Sequence, residues 1–237
     1  MEHDHSREIF IVRRVRPAFV CSRLPHDAAR WTCLRWLTAA AAVILSAGAL
    51  HAALPSPTSP NVSGATSVAG RLLIATAAMT GPPFAHAVIL VAQHDQNGAL
   101  GIIINQPLGE RPIATVLQAL GGDAVGVSGD ARLFLGGPVD PAVVFVLHSA
   151  EYHDNNTLDI DGRVALSGGV HILRDIGLGK GPRQSLVAFG YAGWAPAQLD
   201  DELREGVWDT VAEDPKLVFD DDRAKVWSDA MARYKPN

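Results

Sequence analysis

The sequence predicts an α+β fold: one compact domain with a mixed or antiparallel sheet built from hairpins and flanked by about four helices. Three observations predict it. Between residues 70 and 237, apolar runs of strand length outnumber helical stretches. Two pairs of these runs are joined by hairpin signals, at Gln96-Asn97-Gly98 and at Asp161-Gly162. The turns are short, and there is neither an internal repeat nor an internal linker, which favours one α+β unit over a doubly wound parallel sheet.

The elements follow in order. Leu72-Leu73-Ile74-Ala75 is an apolar run suited to a buried strand. Residues 87–93 and 99–105 form the first hairpin, since both Asn97 and Gly98 tolerate positive φ. Pro112 to Leu120 starts on proline and stops at Gly121-Gly122, as a helix would. Leu133-Phe134-Leu135 and Val143 to Leu147 read as strands. Leu158-Asp159-Ile160 and Val164-Ala165-Leu166 make the second hairpin. Val170 to Ile176 is a short helix, Ser185 to Phe189 a strand. Pro196 to Val211 reads as one long helix with Leu199, Leu203, Val207, Trp208 and Val211 on a single stripe. Leu217-Val218-Phe219 reads as a last strand and Asp222 to Tyr234 as a last helix.

The net charge of −5 over 237 residues describes neither part of the chain. Residues 1–62 hold seven Lys and Arg against four Asp and Glu, while the remainder holds 13 basic and 21 acidic residues, a net of −8. Both cysteines, Cys21 and Cys33, fall in the basic leader, so the body has no disulfide, thiolate metal ligand or thiol nucleophile. Residues 1–52 read as a leader in which the uncharged run Trp36–Leu50, behind Arg30 and Arg35, has the parts of a secretory signal. Residues 53–69 read as a Pro/Ser-rich flexible spacer, and 70–237 as the functional domain. This places the protein in the exported or periplasmic space, touching membrane only through the leader. A start codon assigned too early is the alternative and makes the protein cytoplasmic.

Candidate chemistry is sparse. His94-Asp95, at the mouth of the first hairpin, offers an imidazole beside a carboxylate, although turn-entry hydrogen bonding explains the pair more simply. His148 closes an apolar strand near Glu151, His153 and Asp154, without the spacing of a metal centre, so neither a metal nor a cofactor is expected. Ser128 and Ser167 sit beside glycines but outside the nucleophile-elbow frame. Gly177-Leu178-Gly179-Lys180-Gly181 runs from helix to strand, opposite to a phosphate loop, and reads as a helix C-cap. The stretch Gly190 to Gln198 leaves two readings open. Tyr191 and Trp194 wall a ligand cleft with Gln198 and Asn105 as polar contacts, or Trp194 and Trp208 fill the core while the glycines permit a tight turn.

Several motifs resemble one family. They are Gly70-Arg71-Leu72-Leu73-Ile74-Ala75-Thr76, Met79 with Pro82-Pro83-Phe84, and His94-Asp95 before Gly98-Ala99-Leu100-Gly101. Ile103-Ile104-Asn105-Gln106-Pro107-Leu108, Gly136-Gly137-Pro138-Val139, Phe145-Val146-Leu147-His148, Gly190-Tyr191-Ala192-Gly193-Trp194 and Gln198-Leu199-Asp200-Asp201-Glu202 with Trp208 follow in order. Over residues 70–235 the chain resembles the YqgE/AlgH family of compact bacterial α+β proteins. The resemblance implies no established catalytic activity, and some members carry a transcriptional-regulator label. Gln106 stands where the family usually has Arg or Lys, which weakens any anion-binding role there.

Three functional readings follow. The first is a non-enzymatic binding or regulatory domain that contacts a protein or small ligand; direct nucleic-acid binding is not expected of an acidic body without a basic stripe. The second is a hydrolase or redox-linked enzyme using His94, Asp95 and His148 around a Trp194 cleft. The third is a structural partner in an envelope assembly.

Overall fold

The structure is a computed structural model that describes residues 67–220 and 222–235. The leader and most of the spacer lie outside the described residues. Ser67, at the far end of the expected spacer, is already docked: its Oγ donates to the backbone oxygen of His94 at 2.9 Å.

Ten strands form one curled, largely antiparallel sheet. Strands β1 (Arg71–Ala75), β2 (Val88–Asp95) and β3 (Gly98–Ile103) form a meander. Strands β4 (Pro107–Pro112) and β5 (Asp130–Leu135) flank helix α1 (Ile113–Ala119). Then come β6 (Val139–Ser149), β7 (Thr157–Asp159), β8 (Val164–Gly168), α2 (Val170–Gly177) and β9 (Ser185–Trp194). The chain ends with α3 (Gln198–Arg204), β10 (Trp208–Ala212), α4 (Pro215–Phe219) and α5 (Val226–Arg233). The main order is β10-β1-β2-β3-β9-β6-β8-β7, and β5 brings β4 onto β9 as a branch.

The branch explains the curl. Strand β9 pairs with β6 along one edge, but along the other it pairs with β5 at its start and β3 at its end. The β5–β9 pair is parallel; every other pair is antiparallel. Where β5 leaves β9, Gly136-Gly137 crosses Gly190 at backbone distance. A Cβ on Gly136 would lie 2.3 Å from the Gly190 oxygen, and Gly190 itself sits at φ 70°. Only glycine allows both the approach and the dihedral. Two of the family-like motifs, Gly136-Gly137 and Gly190, are thus one architectural crossing.

Three apolar clusters cover the sheet. Leu72, Ile74, Leu90 and Ile102 face α4 and α5; Leu73, Ile89, Ile103 and Trp208 face α3; Val146 and Val187 pack on α1 and α2. The observed fold is the expected α+β class, with five helices rather than about four. Two elements differ from expectation. Gly206, at φ 71°, stops the helix begun at Gln198, and residues 208–212 instead form β10 against β1. Trp208 and Val211, one helical stripe in the sequence reading, lie in different apolar clusters. Leu217-Val218-Phe219 is helical, not extended, because Asp214 caps it through the Lys216 N–H at 2.9 Å and Pro215 starts it.

The first hairpin turns one residue earlier than the Asn-Gly signal suggests. Asp95 pairs with Gly98 and only Gly98 takes positive φ, at 124°. The second hairpin forms where the Asp161-Gly162 signal places it, with Leu158 opposite Leu166.

Candidate functional site

The residues singled out in the sequence do not gather. Residues 191 and 194 have opposite parity on β9, so their side chains stand on opposite faces. Tyr191 packs edge to face on Phe145, 6.0 Å between centroids, while Trp194 joins the α3 cluster at 8% exposure. No cleft is walled by the two. Trp194 Nε1 donates to Glu202 Oε2 at 2.8 Å, and Trp208 Nε1 donates to the same oxygen at 2.8 Å. Gln198 completes the arrangement, donating to Glu202 Oε1 at 2.9 Å and accepting from the Ala195 N–H at 3.0 Å. These groups serve each other.

His94 and His148 are also apart. His94 pairs with Ala99, which pairs with Trp194 at one end of β9, whereas His148 pairs with Ser185 at the other end. Nine residue steps at ~3.3 Å separate them by about 30 Å. His94 Nδ1 accepts the Val68 N–H at 3.2 Å and its Nε2 lies 3.5 Å from Asp200 Oδ1, tying residue 68 and α3 to β2. Asp95 accepts from Gln93 Nε2 and the Asn97 N–H, at 2.8 and 2.7 Å, and these bonds hold its carboxyl below the usual range. Both residues of the His94-Asp95 pair do structural work at a turn.

His148 is fully buried. Its Nδ1 faces the Ser149 carbonyl at 3.0 Å, so Nδ1 carries the proton, and Nε2 accepts from Ser167 Oγ at 3.0 Å. Ser167 Oγ is 2.7 Å from Thr157 Oγ1, which donates to Asp154 Oδ1 at 3.0 Å. Burial pushes the imidazole pKa down, so the ring stays neutral. The Ser–His contact has the geometry of a nucleophile and base, yet Ser167 is 0% exposed and no substrate reaches it.

What the fold does assemble lies at the far end of the β2–β3 pair. Asn105 Oδ1 accepts the Val88 N–H at 2.9 Å and Nδ2 donates to the His86 carbonyl at 2.8 Å. This clamp holds His86 at φ 56°, a left-handed conformation costing a non-glycine residue about 1–3 kcal/mol. The His86 ring rests on Trp227 of α5, 4.6 Å between centroids, and Trp227 is anchored by its Nε1 to the Ala75 carbonyl at 3.0 Å. Gln106 Nε2 donates to the Pro83 carbonyl. Arg223, 8% exposed, donates to the Val218 carbonyl at 2.8 Å and lies over Phe134, 5.2 Å from the ring centre. Together His86, Asn105, Gln106, Arg223 and Trp227 line a groove of about 310 Å³. Of these Asn105 stood out in the sequence as a polar contact, and Gln106 only as a departure from the family pattern. His86, Arg223 and Trp227 carry no spacing signal, because the loop before β2 and helix α5 meet only in the folded chain. Among the described residues no group of three or more His, Cys, Asp or Glu is placed to hold a metal ion.

A single curled α+β sheet with this groove at one end defines the class of protein, and comparison supplies the family. The family model described as AlgH-like, DUF179, matches residues 72–237, and the chain belongs to that family. A UPF0301 protein of Methylococcus capsulatus is 39% identical over 168 residues, 71% of this chain and 92% of the relative. A UPF0301 protein of Jannaschia is 40% identical over 164 residues, 68% of this chain and 85% of the relative. The solution structure of the AlgH protein of Pseudomonas aeruginosa is similar with a TM-score of 0.60 and 35% identity, covering 72% of this chain and 90% of that one. The crystal structure of protein DIP2367 of Corynebacterium diphtheriae shares the fold, with a TM-score of 0.57 and 24% identity over 73% of this chain and 89% of that one.

Proposed function

We propose that the protein is a non-enzymatic binding domain that takes a small ligand, or a short segment of a partner protein, in the His86–Trp227 groove. One observation carries the reading. Asn105 spends both ends of its amide on the backbone of residues 86 and 88, and so fixes a strained His86 against an aromatic floor. Strain maintained by such a clamp keeps an exposed imidazole and an indole face in one orientation, which suits a planar group with polar edges. At about 310 Å³ the groove is at the small end of ligand sites.

The test is a fragment screen by NMR on the full chain. Planar heteroaromatic fragments should shift His86, Asn105 and the Trp227 indole, and His86→Gly should weaken binding about tenfold while the spectrum stays folded. Perturbations that map elsewhere, or that are unchanged in His86→Gly, overturn the reading.

A further inference from the structure

A second depression, of about 650 Å³, opens where β10, the edge strand of the sheet, meets α4 and α5. Five basic side chains line it: Arg71 from β1, Arg163 from the β7–β8 turn, Lys216 from α4, Arg233 from α5 and Lys235 just beyond. Arg163 is held by Asp161 at 2.8 Å and Glu213 at 2.6 Å, and Arg233 by Asp214. Arg71 bonds only to Thr210, through its carbonyl and hydroxyl, both at 3.3 Å. Among the described residues none of Arg71, Lys216 and Lys235 lies within ion-pair distance of a carboxylate, and Lys216 adds only a longer-range pull on Asp214. Three cations outside any carboxylate ion pair, from β1, α4 and the segment after α5, therefore face one depression on a body whose net charge is −8.

The floor carries the second observation. The Glu213 side chain is 0% exposed, and apart from Arg163 no N–H or O–H reaches its carboxylate. Asp161 is its acidic neighbour and favours a proton on Glu213. Burial first, and Asp161 second, hold that proton to about pH 8, against the pull of Arg163. The charged groups around Glu213 are Arg71, Asp161, Arg163, Asp214, Lys216, Arg233 and Lys235. With Glu213 protonated, the depression is cationic; ionisation places a negative charge beneath it.

We propose that this depression is a binding site for a small anion of the diphosphate or phosphate-ester class, and that a proton on Glu213 favours its occupancy. A diphosphate carries two to three charges near neutral pH and presents oxygens in several directions. That distribution matches separated ammonium groups and an Arg71 fork better than a linear dicarboxylate does. The site shares no residue with the His86 groove and stands or falls without it.

The experiment is calorimetric and NMR titration of the full chain with inorganic pyrophosphate, succinate and 1,2-ethanedisulfonate. Pyrophosphate should bind at least tenfold more tightly than succinate and shift Arg71, Lys216 and Lys235. The double variant Lys216→Ala/Lys235→Ala, which alters only exposed side chains, should lose tenfold or more with an unchanged melting temperature. Ethanedisulfonate, whose charge is constant, should weaken between pH 6.5 and 9 in the native chain and much less in Glu213→Gln. Equal binding of succinate overturns the phosphate assignment. Pyrophosphate shifts outside the depression, or affinity indifferent to the lysine pair, overturns the site, and a pH response that survives Glu213→Gln overturns the proton's part.

Discussion

Trp194 and Trp208 share one acceptor: both indole N–H groups donate to Glu202 Oε2, and the rings meet edge to face with centroids 6.3 Å apart. Two strands and helix α3 are joined through a single carboxylate oxygen. Glu202→Ala leaves two buried donors without a partner, each costing about 1–3 kcal/mol, so a loss of about 2–6 kcal/mol in urea unfolding is expected. Glu202→Gln retains an acceptor oxygen and should lose less than half as much. A loss in the alanine variant below 1 kcal/mol would show that the shared acceptor contributes little.

The crossing of Gly136-Gly137 with Gly190 makes a sharper contrast. A Cβ at Gly190 would sit 2.5 Å from the Gly137 oxygen at φ 70°, whereas at Gly162, φ 78°, it meets nothing within 4 Å. Gly162→Ala should cost only the left-handed backbone term of about 1–2 kcal/mol. Gly190→Ala adds a backbone clash that separates β5 from β9, and little soluble protein is expected. Comparable thermal midpoints for the two variants would refute the contrast.

Acid should act through His148. Its folded pKa lies below that of the unfolded chain because burial penalises the charged ring. As the pH falls below about 6.5, the unfolded state takes up a proton that the native state refuses, and stability declines. Denaturation midpoints of wild type and His148→Asn should converge from pH 8 to pH 5. Parallel profiles would place the acid sensitivity elsewhere.

The legible part of the chain was its strand content. Runs such as Leu72–Ala75 and Val164–Leu166 announce themselves by apolar density, and both hairpins come from local turn chemistry. Residues 196–211 misled because helix and strand patterns coincide there: Leu199, Leu203 and Val207 suit a helix, but Gly206 takes a left-handed dihedral that ends it. Strand β4 went unseen because all six of its residues are exposed and it runs from Pro107 to Pro112, without apolar alternation. The aromatic-glycine motif around Trp194 pointed to a cleft, yet parity on β9 sends Tyr191 to the other face. The groove residues were invisible for a different reason. His86 and Trp227 are 141 positions apart in the chain, and only the wrap of the final helix over β1 brings their rings together.

Glu213 should tilt the pH profile in the direction opposite to His148. Its folded pKa, about 8, exceeds that of an unfolded glutamate, about 4.5, because burial and Asp161 favour the protonated acid. Below pH 4.5 both states hold the proton and the group is neutral in its effect. Between 4.5 and 8 the unfolded chain releases the proton while the native state keeps it, so stability falls as the pH rises, and levels off above 8. Glu213→Gln keeps the shape of the protonated acid and cannot ionise, so it should be more stable than wild type at pH 8 and close to it near pH 4.5. Urea midpoints taken across that window decide the matter. A wild type as stable as the glutamine variant at pH 8 would mean that Arg163 holds Glu213 ionised, and the floor of the depression would then be negative at every physiological pH.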